Sequence, residues 1–186
     1  MLFGLFRRKT RDSELKVYSQ IVAQARQTAF YTAFKVPDTI DSRFDMIVLH
    51  AVLLFRRLRG EGAEISRFSQ DVFDLFFHDM DATLRELGVS DTRVPKKIKA
   101  MGEAFYGRAD AYMPHIDGKD VGELAIALKR NVYAQTEEPT EEKALARYMI
   151  AAAEALEAQL VEKIIAAEMV FPDLVQFVGK EDENGN

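Results

Sequence analysis

The chain has 186 residues, no cysteine and a formal net charge of −5. A chain of this size buries enough surface to fold as one domain without a disulfide or a metal. The missing cysteine excludes disulfides, iron–sulfur ligation, thiol nucleophiles and covalent haem attachment, and the acidic balance leaves no electrostatic footprint for DNA.

The start, MLFGLFRRKTR, places apolar residues before its charges, the reverse of a secretory signal. Residues 1–11 are expected to be a flexible terminus. Leu2, Phe3, Leu5 and Phe6 can insert into an interface while Arg7 and Arg8 meet the phosphates of an anionic membrane. A frayed end is the alternative. The longest apolar run, MIVLHAVLLF at 46–55, is far short of the roughly 20 residues that cross a bilayer. A soluble cytoplasmic chain with at most peripheral membrane contact is expected.

A helical domain is expected over residues 12–175. Ser13 can cap a first helix that runs to about residue 29, with Leu15, Tyr18, Ile21, Val22 and Ala25 on its apolar side. FKVPDTIDSRFD breaks the pattern, because Pro37 biases Val36 toward extended backbone and Asp38 and Asp41 suit turns or caps. A second helix from about Ser42 to Leu58 is apolar nearly all round and should be central. Gly60 and Gly62 end it. A third, over about 66–87, carries Val72, Phe76, Met80, Leu84 and Leu87, widened by Phe73 and Phe77, and stops at Gly88. Asp91 or Thr92, with Pro95, opens a fourth helix to about His115, with Ile98, Met101, Phe105 and Tyr112 inward. Asp120 caps a fifth, carrying Val121, Leu124, Ile126, Ala127 and Leu128. Pro139 and Thr140 open a sixth that continues to about Val170. The acidic tail, 176–186, is expected to be disordered. No alternating strand pattern occurs, so the fold class is all-α, a compact single-domain bundle of six or seven helices.

Few groups invite chemistry. Asp74, His78, Asp81 and Arg85 share one face of the third helix, which makes a ligand set for a metal-dependent oxidoreductase geometrically conceivable. That face points away from the apolar stripe, and no second carboxylate–histidine helix exists, so a polar face with i,i+4 pairs is the stronger reading. No metal or other cofactor is expected. His50, inside an apolar run, reads as a hydrogen-bonded core histidine rather than a haem ligand. No nucleophile elbow or phosphate loop is present, and nothing points to an enzyme. Arg93, Lys96, Lys97 and Lys99 cluster at the start of the fourth helix, either as a solvated helix end or as a patch touching ribosomal RNA or anionic lipid.

Three segments in order carry a resemblance: FYTAFKVPDTIDSRFDMIVLH (30–50), FSQDVFDLFFHDMDATLRELGVSD (68–91) and VPKKIKAMGEAFYGRADAY (94–112). Together they closely resemble the ubiquinol–cytochrome c chaperone family, over roughly residues 15–175. The motif positions are Val36, Pro37, Asp38, Arg43, Phe44 and Asp45, then Phe77, Asp79, Met80, Asp81 and Arg85, then Phe105, Tyr106, Gly107 and Arg108. The resemblance implies a helical, non-enzymatic factor that binds newly made cytochrome b, in mitochondria near the ribosomal tunnel exit, and promotes assembly of ubiquinol–cytochrome c reductase. A bacterial member would receive cytochrome b at the cytoplasmic face of the inner membrane. Shielding apolar nascent chain calls for aromatic and methionine side chains beside a groove. Candidate walls are Phe30, Tyr31 and Phe34 with the Val36–Pro37–Asp38 loop, and Phe73, Phe77 and Tyr106. Arg43, Asp79, Asp81, Arg85 and Arg108 are candidate polar contacts. The competing reading of Arg43, Asp45, Arg85 and Arg108 is that they form ion pairs that fix the bundle.

Overall fold

Every residue from Asp45 to Leu54 is buried, as an all-round apolar helix requires. In the computed structural model this segment lies in α3 (Ile40–Leu58), which is wrapped by α1 (Phe3–Ala25), α4 (Ala63–Glu86), α5 (Val94–Asp117) and α7 (Glu142–Glu157). The remaining elements are α2 (Thr28–Thr32), α6 (Val121–Asn131), α8 (Val161–Ile165) and a 3-10 turn at Leu174–Phe177. The structure describes residues 3–134, 136 and 140–179, with side chains from residue 12 onward. Six helices are long and two are single turns, with no strand among the described residues, so the all-α expectation holds. Among those residues no helix is long and apolar enough to cross a membrane.

Local signals account for most boundaries. Thr39, rather than Asp38 or Asp41, caps α3: its Oγ1 accepts from the Ser42 amide at 3.1 Å. Asp120 caps α6 through the Glu123 amide at 3.0 Å, as its position predicts. Gly62 precedes α4 at φ +100°, a conformation open to glycine.

Five expectations are corrected. Ser13 lies inside α1, which begins at Phe3, so the proposed boundary at residue 11 falls within a helix. The buried stripe of α1 is Glu14, Val17, Tyr18, Ile21 and Ala25, while Leu15 is 52% exposed. On α6 Ile126 likewise faces outward. The long sixth helix is broken: α7 ends at Glu157 and α8 begins at Val161. Arg57 of α3 caps the break. Its guanidinium donates to the carbonyls of Leu156 (3.0 Å) and Gln159 (2.9 Å), satisfying the orphan acceptors of a helix end from another element. The Gln159 side chain then holds the returning strand-like segment at the backbone of Val170. Packing also passes the expected end at 175, since Phe177 sits edge-on to Tyr148. Leu2 and the side chains of Phe3, Leu5, Phe6, Arg7 and Arg8 lie outside the described residues, as do 180–186.

Candidate functional site: the aromatic seam of α4 and α5

The three sequence segments converge. Phe44 of α3 stacks on Phe76 of α4 at 5.8 Å, and the Arg108 guanidinium of α5 lies 5.9 Å from the Phe44 ring. Arg108 Nη2 is 2.7 Å from Asp45 Oδ1, a carboxylate that is 5% exposed. Burial pushes the Asp45 carboxyl up to about 7, against the opposing pull of Arg108. Residues of all three segments, the motif positions Phe44, Asp45 and Arg108 together with Phe76, therefore lock α3, α4 and α5 together.

Much of the remaining motif is also framework. Asp79 accepts from the Tyr18 hydroxyl at 2.6 Å, and burial, helped by that bond, holds the phenol above its usual range. Arg85 pairs with Asp81 at 2.5 Å and with Asp91, closing the turn after α4. Arg43 grips both Asp38 oxygens, at 2.6 and 3.1 Å, and holds that carboxyl below the usual range. The expectation that Phe30, Phe34 and Val36 line a groove is corrected, because all three are buried. The Tyr133 hydroxyl donates to the Phe34 carbonyl at 2.8 Å, and the Val36 amide to the Phe30 carbonyl at 3.0 Å. Tyr31 is half-buried, its hydroxyl donating to the Ala25 carbonyl, and Pro37 is half-buried as well.

His50 behaves as a core histidine. Nδ1 lies 2.7 Å from the Met46 carbonyl and Nε2 2.8 Å from the Tyr148 hydroxyl. Burial lowers its pKa to about 4, so the ring is neutral. His78 is exposed, Asp74 accepts from Gln70, and Asp81 is taken by Arg85. Among the described residues no three His, Asp or Glu side chains are placed to hold a metal ion, and the oxidoreductase alternative has no support.

What the framework leaves outward is a strip of aromatic surface. Phe73 and Phe77 of α4 stand 4.7 Å apart and half-buried. Tyr106 of α5, 60% exposed, lies 6.0 Å from Phe73 and 5.7 Å from the buried Phe105. Phe73 continues inward to Phe55 at 6.0 Å. Two glycines flank Tyr106 within α5, although glycine costs about 0.5–1 kcal/mol against alanine inside a helix. A methyl at Gly107 would meet nothing within 4 Å, and one at Gly102 only Phe77 Cε1 at 3.9 Å. The fold itself requires neither glycine. An outward aromatic surface beside side-chain-free backbone suits the close approach of another chain. The glycines were missed as site residues. Their signal, a helix-weakening residue twice within one helix, was present in the sequence. At the start of α5, Arg93, Lys96, Lys97 and Lys99 are all exposed. Lys99 pairs with Glu103 at 3.7 Å, and the other three make no ion pair among the described residues.

A family model described as ubiquinol-cytochrome C chaperone matches residues 32–171. The chain belongs to the ubiquinol–cytochrome c chaperone family. It is similar to the mouse protein named ubiquinol-cytochrome c reductase complex assembly factor 1, with 26% identity over 142 residues, 76% of this chain and 48% of that one. The human protein of the same name is 25% identical over 76% of this chain and 47% of its own length. The chain thus spans about half the length of these curated relatives. A solved structure described as the Cbp3 homolog from Brucella abortus is also similar, at TM-score 0.83 and 38% identity. That likeness covers 95% of this chain and 99% of that one. The family match includes α3, α4, α5 and the whole aromatic seam.

Proposed function

We propose that the chain is a non-enzymatic assembly chaperone that holds newly made cytochrome b during assembly of ubiquinol–cytochrome c reductase, using the α4–α5 seam. The relatives' names support the assembly role. The observation that carries the choice of surface is the outward Phe73–Phe77–Tyr106 strip beside Gly102 and Gly107, whose missing side chains the free fold does not explain. Apolar client helices would lie on the aromatic strip and bring their backbone close to α5. In this reading the protein works in a bacterial cytoplasm, at the inner face of the inner membrane. The free cations Arg93, Lys96 and Lys97 would meet ribosomal RNA near the tunnel exit or anionic headgroups, and the first eleven residues would add membrane contact.

Photocrosslinking tests it. A photoreactive residue replaces Tyr106 or Phe73 in cells, with the exposed Val175 as control site. Cytochrome b adducts from Tyr106 and Phe73 but not from Val175 are expected. Adducts from Val175 alone would reject the seam. No cytochrome b adduct from any site, together with normal levels of the assembled complex after gene deletion, would reject the client.

A further inference from the structure

Behind the seam, α3, α4 and α5 border an open groove of about 350 Å³, within the range of small-ligand sites. Val52, Phe55, Phe105, Ala109 and Met113 line it. Its polar groups are Arg56, Arg59, Ser66 and Ser69. Two of these are occupied. Arg56 pairs with Asp117 at 2.6 Å and Glu157 at 3.3 Å, and the Ser66 hydroxyl donates to the Gly62 carbonyl at 2.9 Å. The other two are not: Arg59 makes no ion pair, and Ser69 no side-chain hydrogen bond, among the described residues. Arg59, exposed at the end of α3, therefore brings an uncompensated guanidinium to the rim of an apolar groove.

We propose that this groove binds a single-chain aliphatic carboxylate, with its chain against Phe55, Phe105 and Met113 and its head on Arg59 and Ser69. The guanidinium fork matches a planar carboxylate, and the Ser69 hydroxyl supplies a further donor. An apolar groove with a free guanidinium at its rim suits an aliphatic chain with one anionic head. The site is independent of the client reading, since it needs neither cytochrome b nor the outer aromatic strip.

The test is a fluorescence titration of the purified full chain with dansylaminoundecanoate, followed by displacement with dodecanoate or dodecanol. Saturable binding is expected, with dodecanoate displacing the probe at least about tenfold better than dodecanol, the worth of one charge-assisted contact. Arg59→Glu, a change at an exposed position, should weaken dodecanoate by at least about tenfold and leave dodecanol unchanged. Ala109→Trp should abolish binding by filling the groove. If that variant loses its helical circular dichroism, Ser69→Trp replaces it. Equal displacement by acid and alcohol, an Arg59→Glu affinity within about twofold of the parent, or full probe binding to a folded groove-filling variant would each overturn the assignment. So would Arg59-dependent binding to phosphatidylglycerol vesicles without displacement of the probe by dodecanoate.

Discussion

Replacing Gly102 and Gly107 by alanine separates what the fold needs from what a partner needs. Both residues lie inside α5, where alanine is favoured over glycine by about 0.5–1 kcal/mol. Neither site opposes the methyl: the nearest atom is 3.9 Å away at Gly102, and none lies within 4 Å at Gly107. The double variant should therefore gain about 1–2 kcal/mol. At roughly 2–4 °C per kcal/mol for a chain of this size, that is a melting-temperature rise of about 2–8 °C. Thermal unfolding followed by circular dichroism at 222 nm measures it. Crosslinking of cytochrome b from Phe73 should fall in the same variant, because the methyl at position 102, beside Phe77, would keep the proposed client's backbone off α5. A lower melting temperature would show that α5 requires its glycines for folding. A higher one with undiminished crosslinking would show that nothing approaches this face closely, and the reasoning would fail.

Tyr106→Ala, at a residue 60% exposed, should change stability by less than about 0.5 kcal/mol in urea denaturation yet reduce the yield of assembled complex in cells. Tyr148→Phe removes the hydroxyl shared by His50 and Gln24 and leaves a buried imidazole nitrogen unpaired. Its urea midpoint should fall by the equivalent of about 1–3 kcal/mol with an unchanged slope. Asp45 binds its proton more tightly folded than unfolded, so its contribution to stability is full below pH 4 and is lost as pH rises toward 7. The stability of the parent relative to Asp45→Asn should accordingly decline across pH 4–7, and a flat difference would contradict a raised carboxyl pKa.

The sequence disclosed those parts of the fold that depend on local chemistry. The all-round apolar run at 46–55, the Asp120 cap and the glycines near 60 and 88 each act within a few residues and appear where expected. Features set by distant residues were not legible. Leu15 and Glu14 are one position apart, and only the placement of the neighbouring helices decides which is buried. Phe30 and Phe34 looked like surplus aromatics because their partners, Tyr133 and Tyr148, lie about a hundred residues on. The motif was recognisable before its meaning was. Asp45, Phe44 and Arg108 meet across helices, and only that meeting divides the framework residues from the outward strip of Phe73, Phe77 and Tyr106.

The break after α7 has a wider consequence. Its stop signal is written 99 and 102 positions upstream, in Arg57. The two ends of the chain therefore share punctuation. A relative that replaces this arginine must supply another donor or let α7 run on, so exchange between relatives of the last third alone will transplant a helix without its full stop. Any cut between Arg57 and Leu156 separates α7 from the donor that caps its end.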